Sequence, residues 1–192
     1  MINSSGQIYL ASRSPRRKAL LDQIGVAYEI IGTDVEEIRG KEEPVTDYVT
    51  RVARAKAKAA ARIVQQPWPI LAADTEVVLD NRIMGKPPDR RAAIDMLMSL
   101  SGRTHRVLTA VVLLHEESDY RLSESSVCFR PLAIEECEAY CDSESPYDKA
   151  GGYGIQDSAA AFISRIEGSY SGIMGLPLYE TAQLLAAVPA HP

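Results

Sequence analysis

The chain has 192 residues, 46% of them hydrophobic and 24% charged, enough for one domain with a sizeable core or for two small lobes. Lys and Arg total 21 against 26 Asp and Glu, a net charge of -5 that argues against non-specific binding to long nucleic acids but leaves room for a small anion held by a few clustered cations. No stretch approaches the roughly 20 apolar residues a membrane span needs, so no membrane partner is expected. The start, MINSSGQIYLAS, lacks the basic-then-apolar layout of a signal peptide. Three cysteines, Cys128, Cys137 and Cys141, are an odd and sparse set. They read as small buried residues in a reducing, cytoplasmic compartment rather than as disulfides or a zinc site.

In chain order, a strand is expected over 7–12 and a helix over 14–24. Ser14 suits the N-cap and Pro15 the first helical position. Arg16 and Arg17 then sit on the first turn, where the helix dipole prefers acids. Two readings fit: a phosphate bound by free N–H groups and arginine forks, or two solvated surface arginines. A strand at 27–32 runs into an acidic loop containing Asp34, Glu36 and Glu37.

The helix expected over 46–65 has an apolar stripe of Val49, Val52, Ala53, Ala57, Ala60, Ile63 and Val64. Arg51, Arg54, Lys58 and Arg62 fall on the opposite face. Lys56, seven residues after Val49, falls inside the stripe. Either its stem packs while its ammonium snorkels to water, or the inner face borders a cleft where an anion meets it. The strand at 70–79, ILAADTEVVL, places Asp74 at the end of a buried run, where a carboxylate must be paired, metal-bound or hydrated. Thr75 follows it, and a turn within 80–87 delivers Lys86.

A helix is expected over 89–100, and strands over 103–115 and 120–130 form an antiparallel hairpin, so the sheet is mixed. A helix over 133–142, a strand over 160–166 and a helix over 177–188 complete the elements. Between them, DKAGGYGIQ (148–156) signals a tight turn or a close backbone approach. Its Tyr153 and Gln156 suit base recognition by stacking and by an amide edge. One amide orientation matches uracil or thymine and the flipped one cytosine, so Gln156 sets base identity only if neighbours lock its rotamer. Carboxylates that hold a hard metal or orient water, beside cations that hold phosphates, make an inventory for phosphate chemistry. Walker A, kinase and GxGxxG patterns do not occur.

Together LASRSPRRKALL, AADTEVVL followed by GKP, LSGRTHRVLTAV, DKAGGYGIQ and GSYSGIMGLPLYET resemble, in order, the motifs of the Maf family of nucleotide pyrophosphatases. The resemblance runs from about residue 8 to about residue 185, and DKAGGYGIQ is similar to the dTTP/UTP branch. It implies a single domain over 1–192, an α/β fold with a mixed, strongly twisted sheet flanked by helices and two lobes around a deep cleft. It further implies a homodimer, and hydrolysis of dTTP, UTP or modified pyrimidine nucleotides between the α and β phosphates with Mg²⁺ or Mn²⁺. Asp74 corresponds to the proton acceptor, with Glu37 and Asp74 as expected metal ligands. Arg16, Thr75 and Gln156 correspond to residues linked to substrate choice, and Ser12, Arg17, Lys56 and Lys86 to further substrate-binding residues. The alternative carried beside this is a nucleotide-binding regulator of cell division that acts through a protein partner.

Overall fold

The computed structural model describes residues 7–188. Its elements are β1 (Ile8–Leu10), α1 (Pro15–Gln23), β2 (Tyr28–Ile30), α2 (Val45–Ala61), β3 (Ile70–Leu79), β4 (Arg82–Met84), α3 (Arg90–Leu100), β5 (Thr104–Leu114), β6 (Ser118–Phe129), α4 (Ile134–Ser143), β7 (Ile163–Glu167), α5 (Tyr170–Met174) and α6 (Leu178–Ala186). The strand order is β2-β1-β3-β5-β6-β7, with β4 on β3. β1 runs parallel to both β2 and β3, while β4 on β3 and β7 on β6 are antiparallel. The expected mixed sheet is therefore present. The short connection from β5 to β6, closed by the His115 N–H donating to the Glu117 carbonyl at 3.1 Å, leaves only the antiparallel hairpin between them.

Two compact units emerge. Unit 1 comprises Met1–Asp74, Thr109–Ser123 and Gly175–Pro192, and unit 2 comprises Thr75–Leu108 and Glu124–Met174. In unit 1 the core is mainly aliphatic. Leu10, Val49, Val52, Ala53, Leu71, Val111, Leu176 and Leu184 are all at most 1% exposed. The burial of β1 follows from its place between two parallel neighbours, which demands apolar side chains on both faces. α2 turns the predicted stripe inward as far as Ala60. It ends at Ala61, so Val64 lies beyond the helix and Ile63 is exposed, a correction to the longer helix expected from periodicity.

Unit 2 has an aromatic core. Phe129, Tyr140, Tyr153 and Phe162 pack with Leu97, Leu100, Val107, Val127 and Cys137. The rings meet edge to face, Phe129 and Tyr153 with centroids 4.9 Å apart, the arrangement that brings a ring's positive edge to another's negative face. α3 packs against α4 and is capped by Asp89, whose carboxylate accepts from the Ala92 N–H at 2.8 Å. Glu136 does the same for the Ala133 N–H at the start of α4, at 2.9 Å. Asp80 and Asn81 both have positive φ and form the tight turn that brings β4 back onto Val77–Leu79. That second hairpin and the short α5 are not expected from the sequence.

Candidate active site

α1 starts where expected, with Ser14 extended at the N-cap and Pro15 following, but the Ser14 side chain makes no capping bond. Instead Ser12, 8% exposed, organises this turn: its Oγ accepts from the Ser14 N–H at 3.2 Å and from Arg17 Nη1 at 3.1 Å. Arg17 Nε donates to the Gly175 carbonyl at 2.7 Å. The half-buried guanidinium is thus fixed at both ends rather than solvated, which removes the surface-arginine reading for Arg17. Burial draws its pKa down, the carboxylates of Asp74 and Glu37 push it back up, and Arg16 lowers it further. The cation therefore sits in the field of both carboxylates.

Lys56 is where the periodicity argument placed it, on the inner face of α2, and it does not snorkel to water. Its ammonium lies 2.7 Å from Asp74 Oδ1 and 2.7 Å from Glu37 Oε1. The Lys56 and Asp74 side chains are 14% and 7% exposed and that of Glu37 is 41% exposed, so the lysine bridges a buried carboxylate to one that water reaches. Asp74 Oδ2 is buried and has no hydrogen-bond partner among the described residues. A buried, ionised acceptor without a donor is costly unless a ligand completes it.

Two residues not singled out as functional hold the Glu37 loop in place. The Tyr48 hydroxyl donates to the Glu37 carbonyl at 2.9 Å, and Arg51 donates to the Ile38 carbonyl at 2.9 Å. Arg51 also pairs with Glu43 at 2.7 Å, and that bond, with the Gly40 N–H, holds the Glu43 carboxyl at about 2. Both residues lie on α2 within two turns of Lys56, so their helical spacing was the available signal; only Arg51 stood on the face read as solvated charge.

Unit 1 thus brings together Ser12, Arg17, Glu37, Lys56 and Asp74, with Arg16 half-buried on the same turn as Arg17. The remaining predicted residues belong to unit 2. Thr75 follows Asp74 on β3 and is half-buried, its side chain on the opposite face because strand side chains alternate. Lys86 is exposed on the loop after β4. Gln156 is exposed, and its Nε2 donates to Asp157 Oδ1 at 2.9 Å.

Tyr153 is not available to stack on a base. It is 5% exposed, and its hydroxyl lies 2.6 Å from His105 Nε2. Burial pushes the Tyr153 hydroxyl pKa up strongly and brings His105 down to about 4, so both are neutral in the folded chain. The sequence LSGRTHRV gave no sign that His105 was this partner. The glycines of the same segment are explained by local packing. Gly151, at φ +73°, is pressed on Val77, where an added Cβ would meet side-chain carbons at 3.0 Å.

Among the described residues no group of three or more His, Cys, Asp or Glu stands ready to hold a metal. Two carboxylates with one open buried oxygen nevertheless fit a hard divalent ion of the magnesium type, which takes one or two protein carboxylates and completes its shell with water and substrate phosphates. No described helix is long and apolar enough to cross a membrane.

Sequence comparison places this geometry among known proteins. Residues 7–188 match the family described as Maf-like protein. The chain is 51% identical over 183 residues to a dTTP/UTP pyrophosphatase of Alkalilimnicola ehrlichii, covering 93% of this chain and 91% of the relative. It is 50% identical over 190 residues to a dTTP/UTP pyrophosphatase of Bordetella avium, covering 93% and 94%. Against the protein of the same name from Cupriavidus metallidurans it is 50% identical over 196 residues, covering 96% and 98%.

Proposed function

The chain belongs to the Maf family, and we propose that it is an enzyme hydrolysing dTTP and UTP to the monophosphate and pyrophosphate. The relatives named above carry that activity in their names, and the unit 1 cluster is suited to it. The single observation that carries the chemistry is Asp74: Oδ1 is held by Lys56 at 2.7 Å and Oδ2 is a buried acceptor with no partner among the described residues.

In this reading the Asp74 carboxylate orients the attacking water and accepts its proton as the α–β phosphoanhydride bond breaks and pyrophosphate leaves. Lys56 keeps the carboxylate oriented and, with Arg17, offsets the charge of the phosphate chain. Ser12 sets the Arg17 guanidinium, and Arg16, on the first turn of α1, faces the same anion with the helix N-terminus behind it. Glu37 and Asp74 would hold a divalent cation, which when bound neutralises phosphate charge. Lys86 is assigned to phosphate, and Thr75 and Gln156 to the nucleoside.

The test is hydrolysis of a panel of nucleoside triphosphates with Mg²⁺ or Mn²⁺, products separated by ion exchange, with Asp74→Asn alongside. Monophosphate and pyrophosphate from dTTP and UTP are expected, with turnover lowered about 100-fold or more in the variant, the scale of losing an acid–base group. Near wild-type turnover in Asp74→Asn would remove its proposed role. Nucleotide binding without turnover of any substrate would move the reading to a regulator.

A further inference from the structure

The segment from Lys149 to Asp157 lies wholly within unit 2 and contains a charged chain that the proposed hydrolysis does not use. Lys149, 8% exposed, donates from Nζ to the Ser145 carbonyl at 2.6 Å and to Asp148 Oδ1 at 3.0 Å. The same ammonium lies 3.4 Å from Asp157 Oδ2. The other oxygen of that carboxylate, Oδ1, accepts from Gln156 Nε2 at 2.9 Å. Gly154 makes room for this arrangement. A Cβ there would collide with Asp157 Oδ2 and stand 2.7 Å from Gln156 Nε2. The turn is closed by the Asp157 N–H on the Gly154 carbonyl at 3.1 Å, and the Gly154 N–H is held by the Tyr140 hydroxyl at 3.1 Å.

An ionised carboxylate only accepts hydrogen bonds, whereas a glutamine amide has a donating end and an accepting end. Turning the Gln156 amide by half a turn would set its carbonyl oxygen against Asp157 Oδ1, lone pair to lone pair, and lose the bond. Asp157 therefore decides which end of the amide faces it. The end left for a ligand is then fixed as well: the Oε1 acceptor beside the second N–H of Nε2. That pair matches the N3–H and an adjacent carbonyl of uracil or thymine. Cytosine presents the reverse, an acceptor at N3 beside an amino donor.

We infer that Asp157, held by Lys149 and admitted by Gly154, is a positioning residue that fixes the Gln156 amide and so selects uracil and thymine over cytosine. The inference deepens the function proposed above and rests on its assignment of Gln156 to the base. It explains the third glycine of DKAGGYGIQ by the space a carboxylate needs, and it supplies the rotamer lock that base identity requires.

The test measures kcat/KM for UTP and CTP, which share one sugar, in the wild type, Asp157→Asn, Asp157→Ala and Gln156→Leu. Asparagine can turn its own amide to meet either end of Gln156, and alanine releases it. Both Asp157 variants should lower the UTP:CTP ratio by about tenfold or more, the range of one matched base-edge pair. Part of that change should be an absolute rise in kcat/KM for CTP, which general loosening of the structure would not produce. A wild-type ratio in the Asp157 variants, with the ratio lost in Gln156→Leu, would overturn the lock and leave the base assignment standing. A ratio unchanged in Gln156→Leu, or no preference in the wild type, would overturn the base assignment and the lock with it. Equal losses on both substrates in the Asp157 variants would reduce Asp157 to a structural residue.

Discussion

The two units bury polar groups in different ways. In unit 1 the inward-facing groups carry formal charge: Lys56 and Asp74, with Arg17 in their field. The aromatic core of unit 2 buries neutral groups, His105 against the Tyr153 hydroxyl and the Tyr140 hydroxyl against the Gly154 N–H, while the unit's buried cation, Lys149, is held by the Ser145 carbonyl and the Asp148 carboxylate. Desolvating an ion pair costs several kcal/mol per ion that its mutual attraction only partly returns, whereas a satisfied neutral hydrogen bond is mildly stabilising. A fold that needed only stability would have built both cores in the second style. The charged cluster of unit 1, with Asp74 Oδ2 lacking a donor among the described residues, is therefore the one suited to a ligand.

The comparison breaks first at Lys56. Lys56→Met keeps the stem's volume but leaves Asp74 buried and unpaired, and urea unfolding should show a loss of about 3 kcal/mol or more, the scale of breaking a buried pair. A variant as stable as the wild type would mean that Asp74 is not held ionised by this lysine, and the contrast between the units would fall.

A smaller effect separates the units by pH. The folded chain keeps His105 neutral down to about pH 4 because burial opposes its charge, and the unfolded chain protonates it near pH 6.5. Its contribution to stability is therefore complete above about pH 6.5 and is withdrawn as the pH falls from there towards 4. Between pH 7 and pH 5 the wild type should lose about 2 kcal/mol that His105→Gln does not lose, read as the difference between their urea midpoints at the two pH values. Parallel pH profiles for the two proteins would show that the buried imidazole is not the titrating group. Smallest is Tyr140→Phe, which removes only the bond to the Gly154 N–H; a loss of about 1 kcal/mol is expected. No loss at all would mean that the amide finds water in its place.

The sequence made much of this legible where one element decides the outcome. β3 falls on the expected residues 70–79 because nine of its ten residues are buried. Lys56 was conspicuous because a single helical wheel is enough to place it. Its partners were not legible as partners, since Glu37 comes from an irregular segment and Asp74 from a strand 18 residues further on. Tyr153 shows the converse error. Its residue type and its glycine neighbours suggested an exposed stacking platform, but its environment is set by His105 and Phe129, which only the tertiary structure brings to it. The β3–β4 hairpin was missed because β4 has three residues and no alternation to read, although the Asp80–Asn81 pair is a turn signal of the right kind.

The bond from Arg17 to the Gly175 carbonyl spans 158 residues, and that bears on the order in which a ribosome can finish the molecule. Unit 2 is drawn entirely from residues 75–174. Unit 1 needs Leu176 and Leu184 for its core and Gly175 for its arginine. Unit 1 therefore cannot close until the chain beyond residue 174 is made and free to pack, and its charged cluster depends on contacts of very high sequence separation, the kind that form slowest.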